Sequence, residues 1–373
     1  VIDFTNLDTI LLGTYSLAFV VQLIYLWFFF GRLAFYKPKI DKTIEKPVSV
    51  VITARDEYHN LKRNLPSILN QNYPDFEVVV VIHKGDEETI ELMADLSKEY
   101  SHLKVVNMAH SVSFYPGKKF PLSIGIKSAK NDILLLTDAD CAVNSANWIR
   151  NMQQGFENHT QIVLGYGPYK PNRTPLNYLI RYYSFFTALN YLSFALAKIP
   201  YMGVGRNLAY RKSLFYKNNG FISHYKVASG DDDLFVNETA NKKNVKICIQ
   251  PDSFTYSTPK TTLKHWLRQK RRHLSAGRLY KKKHQFLLGL YPFSLSGFYA
   301  LSAYLIYKDI CTIFVIGLLT LRIISFLIIQ KASMNKLREK KLFFFSPVLE
   351  LLLFLLNSWL VITNMLYDQN RWK

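Results

Sequence analysis

The longest uncharged runs lie toward the two ends of the chain, and charged positions are spread through the middle. Ile10 to Phe30 holds 21 residues without a charge, bounded by Asp8 and Arg32. As a helix it would span about 32 Å, the hydrocarbon thickness of a bilayer. A cleaved signal peptide would need a basic leader and a small-residue cleavage site. Here Asp3 and Asp8 precede the run and FFFGRLAFY closes it, so a retained anchor is expected. Toward the other end, Phe286 to Ile306 is uncharged, Ile310 to Ile329 carries only Arg322, and Phe343 to Asn364 carries only Glu350. The first two are joined through Tyr307, Lys308 and Asp309, which predicts a tight hairpin. Arg322 and Glu350 each sit seven residues from the facing ends of their runs, at matching depth about 10 Å into the bilayer. That placement predicts either an ion pair between them or contact with the polar head of an acceptor, because an isolated charge there is costly. A fifth apolar stretch, Leu176 to Ala197, is interrupted by Asn177, Arg181 and Asn190. It is expected as an amphipathic or buried helix near the membrane surface, with a plain core helix as the alternative.

Between the terminal runs the pattern changes to short apolar segments. VSVVIT at 48–53, FEVVVVI at 76–82, LKVVN at 103–107 and ILLLT at 133–137 read as buried strands. Leu61, Leu65, Ile68 and Leu69 recur at helical spacing, and Glu88 to Leu96 and Leu122 to Ala129 also have helical character. Strand, helix, strand, helix, strand, helix, strand predicts an α/β domain with a mainly parallel sheet and helices on both faces. Ligands of such sheets bind beyond the carboxyl ends of the strands.

Charge orients the spans. The 373 residues carry 47 Lys and Arg against 27 acids, a formal charge of +20, with 49% hydrophobic residues. Disordered and collagen-like chains are excluded. Three distant cysteines give neither a disulfide framework nor a CxxC metal pair. The basic excess is concentrated beside the spans, at Lys281 to Lys283 and in KASMNKLREKK. Topology therefore explains it better than a nucleic-acid groove. The expected organisation is an anchor at 1–31, a cytoplasmic domain at 32–285, three spans at 286–366 and a tail at 367–373, about four spans with both chain ends outside.

Two acidic clusters carry candidate chemistry. Asp138 and Asp140, one residue apart directly after the ILLL strand, can share a hard divalent cation such as Mg²⁺ or Mn²⁺. A loop with two solvated acids is the bland alternative. Asp231, Asp232 and Asp233 follow Gly230 and precede an apparent helix; one could cap it and another could act as a general base. The run WLRQKRRH at 266–273 reads as a juxtamembrane patch for anionic lipid and as a helix presenting Gln269 and Arg272 to a diphosphate and acceptor, with His273 beneath; both can hold, since a helix has several faces.

Together, VSVVITARDE (48–57), GKKFPLSIGIKSAKNDILLLTDADC (117–141), GVGRNLAYRKSLF (203–215), SGDDDLF (229–235) and QKRRH (269–273) resemble, in order, the motifs of inverting family 2 glycosyltransferases. The likeness is to the cellulose-synthase-like superfamily, its bacterial membrane-anchored members especially. The resemblance implies a GT-A fold, a nucleotide-sugar donor and a divalent metal. It also implies a lipid-linked or membrane-proximal glycan acceptor in cell-envelope polysaccharide synthesis at the bacterial inner membrane. Residue by residue, it implies a nucleotide pocket at Ala54, Asp56 and Glu57, with Lys118 or Lys119 as the basic residue before the next helix. Asp138 stands on the nucleotide side and, with Asp140, at the metal. Asp232 matches the general base, with Asp231 where Glu is frequent. Gln269 and Arg272 match the Q-x-x-R-W motif, and Gly205 and Asn207 match the acceptor-side segment.

The sequence departs from the family in two places. His83 and Lys84 stand where the second strand usually ends in acids, and a lysine cannot accept hydrogen bonds from ribose or base. Lys84 is expected to meet a phosphate instead, and Asp86, Glu87 or Glu88 are candidate substitutes for the missing acid. The departure also admits a catalytically weakened homologue serving as a binding or assembly subunit. His273 replaces the Trp and keeps a planar ring.

Overall fold

The computed structural model describes residues 6–38, 44–108, 117–157, 159–227 and 229–366. Asp3 and the tail at 367–373 lie outside the described residues. In chain order the elements begin with α1 (Asn6–Leu23), continued through a π-helical stretch (Ile24–Phe30) into α2 (Gly31–Ala34). There follow β1 (Val48–Ala54), α3 (Tyr58–Leu69), β2 (Phe76–Ile82), α4 (Glu87–Glu99), β3 (Leu103–Asn107), α5 (Lys119–Ser128) and β4 (Ile133–Asp138). Next come β5 (Cys141–Val143), α6 (Trp148–Gln153), β6 (Ile162–Leu164), α7 (Pro175–Leu196), β7 (Leu208–Arg211), α8 (Lys212–Lys217), α9 (Asp233–Thr239), β8 (Val245–Ile247) and β9 (Thr255–Ser257). The last helices are α10 (Leu263–Gly277), α11 (Lys282–Tyr307), α12 (Thr312–Lys336) and α13 (Ser346–Leu366). The chain divides into two units. One joins the N-terminal segment through Tyr36 to Lys281–Leu355, and the other comprises Lys37–Tyr280 and the chain from Leu356 onward.

Among the described residues, four helical segments are long and apolar enough to cross a membrane: Asn6–Ala34, Lys282–Tyr307, Thr312–Lys336 and Lys340–Asn364. Within the helical unit, Tyr15, Phe19, Phe298, Leu305 and Val315 form a core, with the Tyr15 and Phe298 rings stacked at 4.9 Å. Large side chains such as Ile10, Phe293, Ile313 and Phe344 point outward, as a lipid-facing surface requires. Arg322 (1% exposed) and Glu350 (3%) form the expected ion pair. It is bidentate: Arg322 Nη1 donates to Glu350 Oε2 at 2.8 Å and Nη2 to Oε1 at 2.7 Å. Arg322 also donates to Tyr299 Oη (2.9 Å) and Gln22 Oε1 (3.2 Å), while Tyr291 Oη donates to Glu350 Oε1 (2.6 Å). One network thus ties α1, α11, α12 and α13. α12 runs about two turns past the expected end at Ile329, through Lys331 to Lys336. Basic side chains tolerate that extension because their stems lie along apolar surface while their charges reach water.

The other unit is built on a seven-stranded sheet in the order β3-β2-β1-β4-β7-β6-β8. β3, β2, β1 and β4 are parallel, β7 runs antiparallel to β4 and β6, and β8 is parallel to β6. This is the α/β, largely parallel arrangement expected of a GT-A-like fold. β1, β2 and β4 are largely apolar because both faces are covered. On one face Leu61, Leu65 and Ile68 of α3 pack with Val50, Ile52, Val78 and Val80. On the other, α5 approaches so closely that a Cβ at Gly125 would stand 2.7 Å from Val51 Cγ1 and 2.9 Å from Val81 Cγ2. The register sets Ala54 beside Ile82 and Thr53 beside Asp138, which brings the carboxyl ends of β1, β2 and β4 to one edge.

α7 is a buried helix rather than an amphipathic one. It buries residues around most of its circumference, including Ile180, Arg181, Phe185, Leu189 and Leu192. Its polar interruptions are used internally. Asn177 Nδ2 donates to the Lys170 carbonyl at 3.1 Å, and Asn177 Oδ1 accepts from the Asn172 amide at 2.8 Å.

Candidate active site

Asp138 ends β4 and Asp140 lies just beyond it. The ligand atoms of Asp138, Asp140 and Cys141 are all within 4.8 Å of one another. Cys141 is buried, and burial pushes its thiol up, so it remains a neutral donor to Asp140 Oδ1 at 3.4 Å. The two carboxylates are therefore the hard ligands. Burial works against ionisation of Asp138, but Lys118, Arg206 and Arg272 outweigh it and hold the carboxyl below its ordinary value. Burial and the neighbouring Asp138 charge push Asp140 up to about 6. Two crowded carboxylates of this kind fit a divalent cation, which would relieve the repulsion that raises Asp140.

The second cluster meets the first through Lys118. Its ammonium pairs closely with Asp138 and lies 3.9 Å from Asp231 Oδ2. Burial opposes that charge, but the two acids push Lys118 up. Asp232 precedes α9 and is held on both oxygens: Oδ2 accepts from the Gly205 amide and Oδ1 from the Asp233 amide, each at 2.7 Å. Burial, with Asp231 and Asp233 beside it, pushes Asp232 up to about 8. Asp233 is buried, accepts from Tyr280 Oη at 2.8 Å, and is pushed up to about 6, mainly by burial. Lys119 makes its hydrogen bonds elsewhere, although its charge still acts on Asp233. It is buried and donates to the carbonyls of His224 (2.6 Å) and Val227 (2.9 Å), which fixes the loop leading to the acidic cluster.

At the other end of the site, Ala54 closes β1 in a buried position and Glu57 accepts from Asn60 Nδ2 at 2.5 Å. Asp56 and Lys84 are exposed and both left-handed, with φ of 55° and 59°. His83 is buried, its amide donating to the Ala54 carbonyl at 2.8 Å. Asp86, one of the candidate substitutes at this edge, caps α4 by accepting from the Thr89 amide at 2.9 Å. On α10, Gln269 Oε1 is buried without a hydrogen-bond partner among the described residues, Arg272 acts on Asp138, and His273 is exposed.

The family model described as "Glycosyltransferase like family 2" matches residues 46–276, well over half of the chain. The chain belongs to this family. Curated relatives are similar over shorter segments. A poly(ribitol-phosphate) beta-glucosyltransferase of Bacillus spizizenii is 28% identical over 120 residues, 32% of this chain and 18% of that protein. A beta-monoglucosyldiacylglycerol synthase of a Nostoc species is 27% identical over 118 residues, 31% of this chain and 25% of that protein. The match therefore spans a quarter or less of these relatives' length. Among solved structures, the mannosyltransferase PcManGT from Pyrobaculum calidifontis, in complex with GDP-Man and Mn²⁺, has a TM-score of 0.56 at 17% identity. That match covers 92% of this chain and 98% of the mannosyltransferase.

One residue of this family 2 chain was not singled out from sequence. Arg206 lies between Gly205, which holds Asp232, and Asn207, whose buried side chain accepts from Trp148 Nε1 at 3.1 Å. The Arg206 carbonyl accepts from Thr137 Oγ1 and Thr255 Oγ1, both at 2.9 Å, and its guanidinium lies 4.3 Å over the Tyr169 ring. Its charge acts on both Asp138 and Asp140. The available signal was a single cation in GVGRN, flanked by small and amide residues.

Proposed function

We propose that this chain transfers a sugar, with inversion, from a nucleotide-sugar donor to a lipid-linked or membrane-proximal glycan. The observation that carries the reading is the meeting of two acidic clusters through Lys118 at the carboxyl edge of the sheet. Asp138 and Asp140 stand on one side and Asp231 and Asp232 on the other. Asp232 is the base. Its carboxylate takes the acceptor hydroxyl's proton as that oxygen bonds to the anomeric carbon. The bond from that carbon to the donor phosphate breaks on the opposite side, and the diphosphate leaves with the electron pair. A carboxyl held near 8 is well matched to that proton transfer at neutral to mildly basic pH. Asp138 and Asp140 would hold a divalent cation, Mg²⁺ or Mn²⁺, which supplies neutralisation of the leaving diphosphate. Arg272, and Gln269 on the same helix, face that leaving group. Ala54, Asp56 and Glu57 border the nucleoside, and Lys84 meets a phosphate.

The relatives support this choice of acceptor, since one is named for poly(ribitol-phosphate) and the other for a glucosyldiacylglycerol. The mannosyltransferase of similar fold was solved with GDP-Man and Mn²⁺. Basic residues beside the spans favour a catalytic domain facing the cytoplasm, in the inner membrane of a bacterium. The test is full-length protein in detergent, with Mn²⁺ or Mg²⁺ and a panel of nucleotide sugars, read by nucleotide binding and donor hydrolysis. Metal-dependent hydrolysis of at least one donor is expected. Absence of both binding and hydrolysis across the panel would reject the reading in favour of a binding or assembly subunit.

A further inference from the structure

Asp233 is the acid of the second cluster that the transfer chemistry leaves unused. It opens α9 and is 8% exposed, and both its oxygens are engaged within the protein. Oδ1 accepts from the Leu234 amide at 2.7 Å and Oδ2 from Tyr280 Oη at 2.8 Å. The nearby ammonium groups are bonded to other partners: Lys118 pairs with Asp138 and approaches Asp231, and Lys119 donates to the carbonyls of His224 and Val227. Among the described residues, Asp233 thus has neutral donors and no bonded cation. Burying a carboxylate on such terms is unfavourable, and burial is what pushes it up to about 6. The bonds from Tyr280 and Leu234 favour its charged form, so it still ionises below the range in which Asp232 does.

Tyr280 reaches Asp233 because the chain turns at the end of α10. There the Leu279 amide donates to the Ala276 carbonyl at 2.9 Å and the Tyr280 amide to the Gly277 carbonyl at 3.3 Å. The Tyr280 ring lies 6.0 Å from that of Tyr201, whose carbonyl accepts from Asn237 Nδ2 of α9 at 2.7 Å. α10 meets the acidic turn a second time at Ser229, whose hydroxyl donates to the Arg272 carbonyl at 3.2 Å. The helix that carries Gln269 and Arg272 is therefore bonded to this turn both before and after Asp231 and Asp232. Asp233 also holds the base directly, since its amide donates to Asp232 Oδ1 at 2.7 Å. Its carboxylate adds a negative charge one residue away. Burial is the first cause that pushes Asp232 up, and the charges of Asp231 and Asp233 follow. The other titratable groups that act there are Lys118, Lys119, Tyr191, Tyr210 and Tyr280. Lys118 and the three tyrosines are all pushed up and keep their protons, whereas burial brings Lys119 down to about 8. Lys119 titrates alike in every variant below, so the decisive quantity is the difference from wild type.

We infer that Asp233, held by Tyr280, is a positioning residue that acts through Asp232: its amide aims the carboxylate and its charge keeps the base strong. This rests on the proposed transfer reaction and assigns the pair that tunes its base. Full-length wild type, Asp233→Asn and Tyr280→Phe are compared in detergent by the pH dependence of kcat/KM. The reaction is Mg²⁺-dependent hydrolysis of whichever nucleotide sugar wild type turns over fastest. Asn keeps both contacts, because its carbonyl oxygen accepts from Leu234 and the Tyr280 hydroxyl can accept from its amide. The charge alone is lost. With less repulsion the Asp232 carboxylate forms more readily, so the acid-side midpoint, near 8 in wild type, should fall by about one pH unit. Tyr280→Phe keeps the ring and removes the bond that favours the Asp233 charge. Asp233 then holds its proton to higher pH, and the midpoint should fall by roughly half as much. A midpoint that stays in place while turnover drops marks a structural contact and overturns the inference, as does a shift to higher pH. Where Asp233→Asn fails to fold, Tyr280→Phe decides by the same criterion. Loss of Mg²⁺-dependent nucleoside diphosphate affinity in both variants would assign the pair to the donor site and also overturn it. A wild-type profile without the acid limb strikes Asp232 as base, and no hydrolysis of any sugar strikes the transfer reading; the pair's role falls with either. Both differ from the pair's own failure, in which wild type shows the limb and the variants keep its midpoint.

Discussion

Replacing Glu350 by Leu should damage the helical unit more than replacing Arg322 by Leu, and replacing both should do less harm than the two losses added together. Among the described residues Arg322 donates four hydrogen bonds, two of them to Glu350. Without Glu350 the guanidinium keeps only the Tyr299 hydroxyl and the Gln22 carbonyl oxygen, and it remains charged in a buried place. Breaking a buried pair from one side costs about 3–5 kcal/mol, and Glu350→Leu should lie near the top of that range. Without Arg322, Glu350 can take up a proton and keep its bond from Tyr291, so Arg322→Leu should lie near the bottom. The double variant leaves neutral orphans at Gln22, Tyr291 and Tyr299, each costing roughly 1 kcal/mol. The two single losses should therefore be non-additive by a few kcal/mol. Thermal melts in detergent, with the folded fraction checked by size exclusion, complete the cycle. Strict additivity, or a worse outcome for Arg322→Leu than for Glu350→Leu, refutes the reasoning. Normal stability with lost transfer in a single variant would instead assign the pair to an acceptor.

Asp232→Asn should keep nucleotide binding and lower turnover by roughly 10²- to 10⁴-fold, the usual worth of a general base; wild-type turnover would move the role to Asp231 or Asp233. Because Asp232 is held up to about 8 and acts deprotonated, kcat/KM of the wild type should fall about tenfold per pH unit below that value and level off above it. A profile flat from pH 6 to 9 contradicts that assignment. Asp140→Ala and Asp138→Ala should each weaken Mn²⁺-dependent nucleoside diphosphate binding in calorimetry, and unchanged metal dependence in both would remove the metal site. Lys119→Met should make the loop around His224 and Val227 more sensitive to limited proteolysis, since each lost charge-assisted bond is worth roughly 1.5–3 kcal/mol. Reduced nucleotide affinity with an unchanged digestion pattern would return Lys119 to the donor site.

The parallel half of the sheet was legible because its strands are long. β2 and β3 occupy the residues expected of them, and β1 and β4 extend one residue further. β5, β6, β8 and β9 were not legible, since three residues carry no period and are held by their neighbours' hydrogen bonds. α7 was ambiguous for the opposite reason: a helix apolar on most sides reads alike in a core and in a membrane. At the site, Asp138 and Asp140 announced themselves by following an apolar strand. Arg206 did not, because its surroundings come from distant sequence: α7 brings Ser184 against it, and the Tyr169 ring lies under its guanidinium. Nor does the string GKKF distinguish Lys118, which faces the acids, from Lys119, which turns to carbonyls; that choice is made by the first turn of α5.

The amide of Gly205 that grips Asp232 also dictates what residue can stand there. A Cβ added at Gly205 would lie 3.3 Å from Asp232 Oδ2, closer than most such atoms are found, and within 3.7 Å of the carboxyl carbon. The smallest possible enlargement would press directly on the carboxylate that serves as base in the proposed transfer. Gly205→Ala would therefore leave the chemical identity of the base intact and alter only its aim, by a few tenths of an ångström. The position is in effect a set-screw on the carboxylate, reached from a strand-side loop 27 residues away in sequence. It offers a way to measure how finely proton transfer in this enzyme depends on alignment, separately from acidity.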